Sequence, residues 1–195
     1  MRSDFSPGSI FRDSTVPLIK NMRQKQASIV IMGVAGCGKS SLGVAVARQL
    51  DLPLIEGDDH HSADSLSKMR SGIALTDADR DGWLTALGLQ LSSRPTAVVL
   101  TCSALKQAYR ERLRQADPGL RFVYLDINRS QALARVTARA AEHFFSTSLV
   151  DSQFATLEVP TGEPGVLRVD AMAPLADLQA QVCSWLGMPT TKETV

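Results

Sequence analysis

The sequence predicts an α/β fold in which a five-stranded parallel sheet carries helices on both faces, and three observations support it. The phosphate-loop pattern Gly33-Val34-Ala35-Gly36-Cys37-Gly38-Lys39-Ser40 lies between the apolar run Ile29-Val30-Ile31-Met32 and a helical pattern. Short, β-branched apolar runs then alternate with apolar stripes at helical spacing along the rest of the chain. A length of 195 residues suits one well-packed domain and is short for two.

The first strand is Ile29 to Met32, and the loop after it has a physical purpose. Its glycines let backbone N–H groups curl inward around phosphate oxygens, and the following helix aims its positive N-terminal end at the same place. Lys39 reaches the outer phosphates and the Ser40 hydroxyl ligates Mg²⁺ in loops of this pattern. The nucleotide site therefore comprises Gly33, Val34, Ala35, Gly36, Cys37, Gly38, Lys39, Ser40 and Ser41. Leu42, Val46 and Leu50 mark the first helix, and Pro53 to Asp58 reads as a second strand ending in a carboxylate. Trp83 or Leu84, then Leu87 and Leu91, form the next helical stripe, ahead of a third strand over Ala97 to Thr101. Leu105, Tyr109 and Leu113 return to helical spacing, Phe122 to Leu125 is the fourth strand, and Leu133 to Ala140 is a helix. Val166 to Val169 is the fifth strand, closed by a helix striped with Leu175, Leu178, Val182 and Leu186. Continuous apolar strands separated by helices imply a parallel sheet with right-handed crossovers, and ligands then gather at the strands' C-terminal ends. Three of those ends carry reactive side chains: the phosphate loop, Asp58, and Cys102-Ser103.

Composition excludes several function classes. Twenty-one basic against 20 acidic residues leave no global charge footprint for nucleic acid or anionic lipid. No stretch approaches the roughly 18 consecutive apolar residues of a membrane span. Cys37, Cys102 and Cys183 are odd in number and far apart, which argues against a disulfide framework or a short-spaced zinc site and fits a reducing cytoplasm. Residues 1–26 mix Ser, Pro, Arg and Asp without periodicity and read as a flexible extension ahead of a domain over 27–190. Asp4 and Asp13 spoil the acid-poor pattern of a transit peptide.

The stretch between the second and third strands is more selective. It reads Gly57-Asp58-Asp59-His60-His61, then Lys68-Met69-Arg70-Ser71-Gly72-Ile73-Ala74-Leu75-Thr76-Asp77-Ala78-Asp79-Arg80, then Trp83-Leu84. Further on come Cys102-Ser103-Ala104-Leu105-Lys106, Tyr109-Arg110, His143-Phe144-Phe145, Leu149-Val150 and Gln153-Phe154-Ala155-Thr156-Leu157-Glu158. Over residues 28 to 187 this ordered set resembles the gluconokinase family, ATP-dependent kinases of the shikimate-kinase-like phosphate-loop group.

The resemblance implies a three-layer P-loop kinase fold with a short lid, ATP and Mg²⁺ as cofactors, and transfer of the γ-phosphoryl group to the 6-hydroxyl of D-gluconate. It implies a small-molecule partner, no nucleic acid or membrane partner, and room for a homodimer. Asp58 matches the family's Gly-Asp position and is the candidate to orient the acceptor hydroxyl and take its proton; a hold on Mg²⁺ beside Ser40 is its alternative duty. His61 aligns with the family histidine better than His60. Arg70, Arg80, Lys106 and Arg110 supply cationic groups for the acid end of the substrate. Arg80 has a rival reading as a surface partner of Asp77 or Asp79, and Lys106 and Arg110 as a solvated helix face. Arg135 and Arg139, four residues apart, are the candidate lid cations, with an ordinary solvated helix face as the rival reading; Arg139 groups with Lys39 and Asp58 as catalytic, Arg135 with the nucleotide set and His143 with the substrate set.

The chain departs from the family pattern at Ser62 and Gly82, where Pro is usual, at Ser65 in place of Asn, and at Ala140-Ala141-Glu142 in the lid, where Glu142 adds negative charge. No aspartate ends the third strand, which leaves Ser40 and Asp58 as metal partners. The enzymatic rival is a kinase of shikimate, a nucleoside monophosphate or adenylylsulfate. The rival of another class is a nucleotide-binding module with little kinase activity, although the N-K-x-D segment of a GTPase switch is absent.

Overall fold

The structure, a computed structural model, describes residues 27–139 and 147–188. Its strands are β1 (Ile29–Met32), β2 (Leu54–Glu56), β3 (Val99–Thr101), β4 (Arg121–Asp126) and β5 (Val166–Asp170). The helices are α1 (Lys39–Leu50), α2 (Ala63–Arg70), α3 (Asp77–Ser92), α4 (Gln107–Ala116), α5 (Arg129–Arg139), α6 (Thr147–Thr156) and α7 (Leu175–Trp185). All strand pairs are parallel, as the alternating pattern predicts, and the sheet order is β2-β3-β1-β4-β5.

Side-chain alternation along the strands makes two cores. Ile29, Ile31, Val99, Val123 and Leu125 face α1, α5 and α7, meeting Leu42, Val46, Val136, Leu178 and Val182. Val30, Met32, Leu100, Phe122 and Tyr124 face α3 and α4, meeting Trp83, Leu84, Leu87, Leu91, Tyr109 and Leu113. All four residues of β1 are fully buried. A strand enclosed on both faces gains about 1.5–3 kcal/mol per large apolar side chain, which is why β1 reads as an unbroken apolar run.

The chain steps from β1 outward to β2 and back to β3, then crosses β1 to β4 on its other side. The crevice beyond the C-terminal ends at this reversal is where an open α/β sheet binds ligands. Two helices and a turn there go beyond the sequence expectation. The expected strand over Pro53 to Asp58 stops at Glu56 and becomes a 3-10 turn over Gly57–His60. A Cβ on Gly57 would overlap the Thr101 carbonyl oxygen, so only glycine lets the chain turn this close to β3. Ser62, in place of the family's Pro, caps α2 by accepting a hydrogen bond from Ser65 N–H at 3.1 Å. α6 is the second unexpected helix; its mixed polar sequence has no clean apolar stripe.

The N-terminal extension, His143 and the lid residues Ala140, Ala141 and Glu142 lie outside the described residues. No helix among the described residues is long and apolar enough to cross a membrane.

Candidate active site

The phosphate loop links β1 to α1 without a break. Gly38 caps α1 in the left-handed conformation, and Gly36 stands at φ 80° with its α-carbon against the Ala132 carbonyl. A side chain at Gly36 would meet both strain and that oxygen. Val34 and Cys37 are buried beneath the loop, and burial pushes the Cys37 thiol up, so both are packing residues under the cradle. Lys39 Nζ donates to the carbonyls of Gly33 and Val34, each at 3.1 Å. Arg135 of α5 reaches over the loop and donates to the Cys37 carbonyl at 3.4 Å. Arg139 ends the same helix, with its side chain outside the described residues.

A cavity of about 650 Å³ opens on this loop. Ala35, Gly36, Gly38, Lys39, Ser40 and Ser41 line one side, and Asp58, His61, Arg70 and Arg80 line it too. Four residues of the predicted substrate set therefore share one chamber with the nucleotide set, although up to 45 positions, from Ala35 to Arg80, separate them in sequence. His60 faces a different, shallower cleft.

Trp83 organises the acceptor end. Its indole N–H donates to the Gly57 carbonyl at 2.7 Å, and its ring stacks on the His61 ring at a centroid distance of 4.4 Å and an angle of 10°. The 3-10 turn is thereby pinned between its first residue and its last cap, presenting Asp58 with its side chain 71% exposed and 4.0 Å from His61 Nε2. Burial pushes the His61 pKa below 6.5; the Asp58 carboxylate opposes that shift and Arg80 adds to it. His61 Nδ1 is buried without a hydrogen-bond partner among the described residues. Such an atom calls for a bound hydroxyl or water. Arg80 is buried, and Nη1 donates to the Leu75 carbonyl at 2.5 Å; its guanidinium has no carboxylate partner among the described residues. The predicted rival partners are occupied elsewhere: Asp79 pairs with Lys68 at 2.5 Å and caps α3, while Asp77 binds Lys106 and the Tyr109 hydroxyl.

Two residues of the predicted substrate set, Arg110 and Lys106, are placed outside the cavity lining. Arg110 is fully buried and outside the cavity: it forms an ion pair with Glu163 and donates to the carbonyls of Ala104 and Leu105 at 2.9 and 3.1 Å. It braces the β3–α4 turn, in which Ala104 sits at φ 43° and Ser103 lines the cavity. Lys106 spends its amine on Asp77 at 2.7 Å, tying α3 to α4, and is likewise not in the cavity wall. The i, i+4 spacing of the two residues is real, but neither is drawn to a shared anion. Cys102, at the end of β3, is buried with its thiol pushed up to about 12 by desolvation, which leaves it protonated and unreactive.

Sequence reasoning missed Glu56 and Gln153. Parallel register sets Glu56 beside Thr101, and Glu56 Oε2 accepts hydrogen bonds from the Thr101 hydroxyl and, at 3.1 Å, from the Ser40 hydroxyl. The carboxylate next to the loop serine is thus Glu56, from the strand neighbouring the one where an aspartate was sought. The segment Leu54-Ile55-Glu56-Gly57-Asp58 held the signal, a second carboxylate two residues before Asp58. Gln153 of α6 accepts a hydrogen bond from Ala35 N–H at 2.6 Å and lines the cavity.

A shikimate kinase family model matches residues 35–153. A gluconokinase of Gluconobacter oxydans is 41% identical over 76% of this chain and 84% of its own length. The thermoresistant gluconokinase of Escherichia coli is 40% identical over 77% and 88%. Among solved structures, a gluconokinase from Sinorhizobium meliloti superposes with a TM-score of 0.78 at 43% identity, covering 85% of this chain and 94% of that one. A sugar kinase from Janibacter superposes at 0.79 with 34% identity, over 84% and 95%.

Proposed function

The chain belongs to the gluconokinase family, within the shikimate-kinase-like group, and from that membership we propose that it transfers the γ-phosphoryl group of ATP to the 6-hydroxyl of D-gluconate. The observation that carries this reading is the single chamber onto which the phosphate loop, Asp58, His61, Arg70 and Arg80 all open.

The loop amides and the N-terminus of α1 hold the phosphates, and Lys39 leaves the Gly33 and Val34 carbonyls to neutralise the outer ones. Arg135, already over the loop, adds positive charge beside it, and Arg139, one turn further along α5, is the second cation of this set. Asp58 orients the acceptor hydroxyl and takes its proton as the oxygen attacks phosphorus. His61 remains neutral near pH 7 and lines the chamber beside Asp58, where it meets a substrate hydroxyl. Arg70 and Arg80 face the carboxylate of the acid.

The donor set fits magnesium. Ser40 and Glu56 offer adjacent hard oxygens, and no cluster of three or more His, Cys, Asp or Glu suited to a metal occurs among the described residues. Magnesium is held by one or two protein oxygens, with waters and substrate phosphates completing its shell. When bound, it screens the negative charge of the phosphates. Ser40 and Glu56 would hold it, and Asp58 is released for the acceptor. Three buried free cysteines support residence in a reducing compartment, the cytoplasm.

ADP release should be measured with MgATP and D-gluconate, against shikimate, other sugar acids and a no-acceptor blank. Gluconate-dependent turnover is expected, falling by on the order of 100- to 10,000-fold in Asp58→Asn. The family-model match keeps shikimate in the panel as the second reading, and preference for it would replace gluconate as the acceptor.

A further inference from the structure

Part of the cavity wall beside the phosphate loop comes from one face of α6, where Leu149, Ser152 and Gln153 occupy the i, i+3 and i+4 positions. Gln153 ties this helix to the loop backbone through the 2.6 Å hydrogen bond from Ala35 N–H. A backbone N–H can only donate, so the side-chain atom facing it is the carbonyl oxygen Oε1. The carboxamide is therefore oriented, and its Nε2 retains two N–H donors that have no partner among the described residues.

Two further contacts set α6 between the two halves of the chamber that Gln153 lines. The Lys39 amine, which reaches the β- and γ-phosphates in such loops, rests on the carbonyls of Gly33 and Val34, immediately before Ala35. Ala35 thus belongs to the outer-phosphate end of the loop. Five residues before Gln153 on α6, the Ser148 hydroxyl donates to the Gly72 carbonyl at 3.1 Å, between the cavity residues Arg70 and Ala74 of the acceptor side.

We propose that Gln153 is a further catalytic residue of this chain: with Oε1 anchored by Ala35 N–H, its Nε2 donates to an oxygen of the γ-phosphoryl group during transfer. The inference rests on the phosphotransfer reading above. In that step the bond from the γ-phosphorus to the β–γ bridging oxygen breaks, the bond to the acceptor oxygen forms, and the acceptor proton passes to Asp58. Gln153 exchanges no proton. A donor held in place before the substrate arrives needs no reorganisation when charge spreads over the equatorial oxygens. The same contact separates ATP from ADP, which offers nothing at that position.

Gln153→Glu and Gln153→Ala divide the role. The Glu variant keeps an oxygen for Ala35 N–H but loses both donors and faces the phosphates with a negative charge; the Ala variant loses the anchor as well. Binding of ADP and of an ATP analogue with a nitrogen in the β–γ bridge is measured on the full chain, together with kcat and the gluconate KM. Thermal melting verifies that each variant is folded, and should the Glu variant not fold, the Ala variant carries the binding comparison alone. Preference for the analogue over ADP should fall about tenfold or more in both variants, because a hydrogen bond to a charged group is lost. ADP affinity should hardly change, and kcat should fall on the order of 100-fold, with the gluconate KM nearly constant. Wild-type kcat and nucleotide preference in Gln153→Glu would reduce the residue to a brace for Ala35 and overturn the proposal. Parallel weakening of ADP and the analogue would overturn it too. If the wild type ignores gluconate while the variants still lose their preference for the analogue, the acceptor assignment fails and the γ-phosphoryl contact stands.

Discussion

At the scale of single residues, neighbours set the chemistry more than residue type does. His60 and His61 are adjacent, yet only His61 lies under Trp83 and in the cavity. Burial lowers its pKa from 6.5, so the folded chain binds fewer protons there than the unfolded chain in the window below that value. Stability is complete above about pH 6.5 and declines as pH falls from there toward the depressed folded value. In urea unfolding at pH 7.5 and 5.5, the wild type should lose more stability than His61→Phe, which keeps the stacked ring and cannot titrate. Equal losses would mean that His61 is not held neutral. The pair was legible as a choice between two histidines; the stack that decides it depends on Trp83, 22 positions away, and no local pattern announces it.

At the scale of elements, the informative case is α4. Tyr109 and Leu113 were visible as its apolar stripe, and Arg110 beside them read as a cation for substrate. In the fold the buried Arg110 pairs with a half-buried Glu163, Arg114 contacts the same carboxylate, and the two arginines lower the Glu163 pKa from its ordinary value. Removing one partner of such a pair costs on the order of 3 kcal/mol. Arg110→Met should lower the denaturation midpoint accordingly while the gluconate KM of the folded fraction stays unchanged; a raised KM would return Arg110 to the substrate. Glu163 lies 53 residues beyond Arg110 in a loop, so the ion pair has no sequence periodicity to reveal it. Glu56 was hidden for a related reason. Its neighbour Thr101 is fixed by the β2–β3 register, and register is a property of the assembled sheet.

At the scale of the whole molecule, the reversal of strand order gathers β1, β2 and β3 around one crevice, and α6 closes it by reaching the phosphate loop and the Gly72 turn together. Binding at a site built from so many segments stabilises all of them against unfolding. At a concentration 100 times Kd, a ligand adds about 2.7 kcal/mol, and a domain of this size gains about 2–4 °C in Tm per kcal/mol. MgATP at that level should therefore raise the thermal midpoint by about 5–10 °C, and Lys39→Ala should erase most of the shift. A wild-type midpoint indifferent to MgATP would remove the nucleotide from the cavity.

The sequence by itself determined the parallel α/β sheet, the phosphate loop and the acidic turn that bears Asp58, because each is written in short-range form: apolar periodicity, a glycine spacing, a strand followed by a carboxylate. Only the tertiary structure decided that Glu56 rather than Asp58 stands beside Ser40, that Arg80 enters the chamber while Arg110 and Lys106 leave it, and that Gln153 meets Ala35. Those outcomes depend on which distant segments the packing brings within hydrogen-bond reach, and a charged or polar side chain carries no local mark of the partner that will satisfy it.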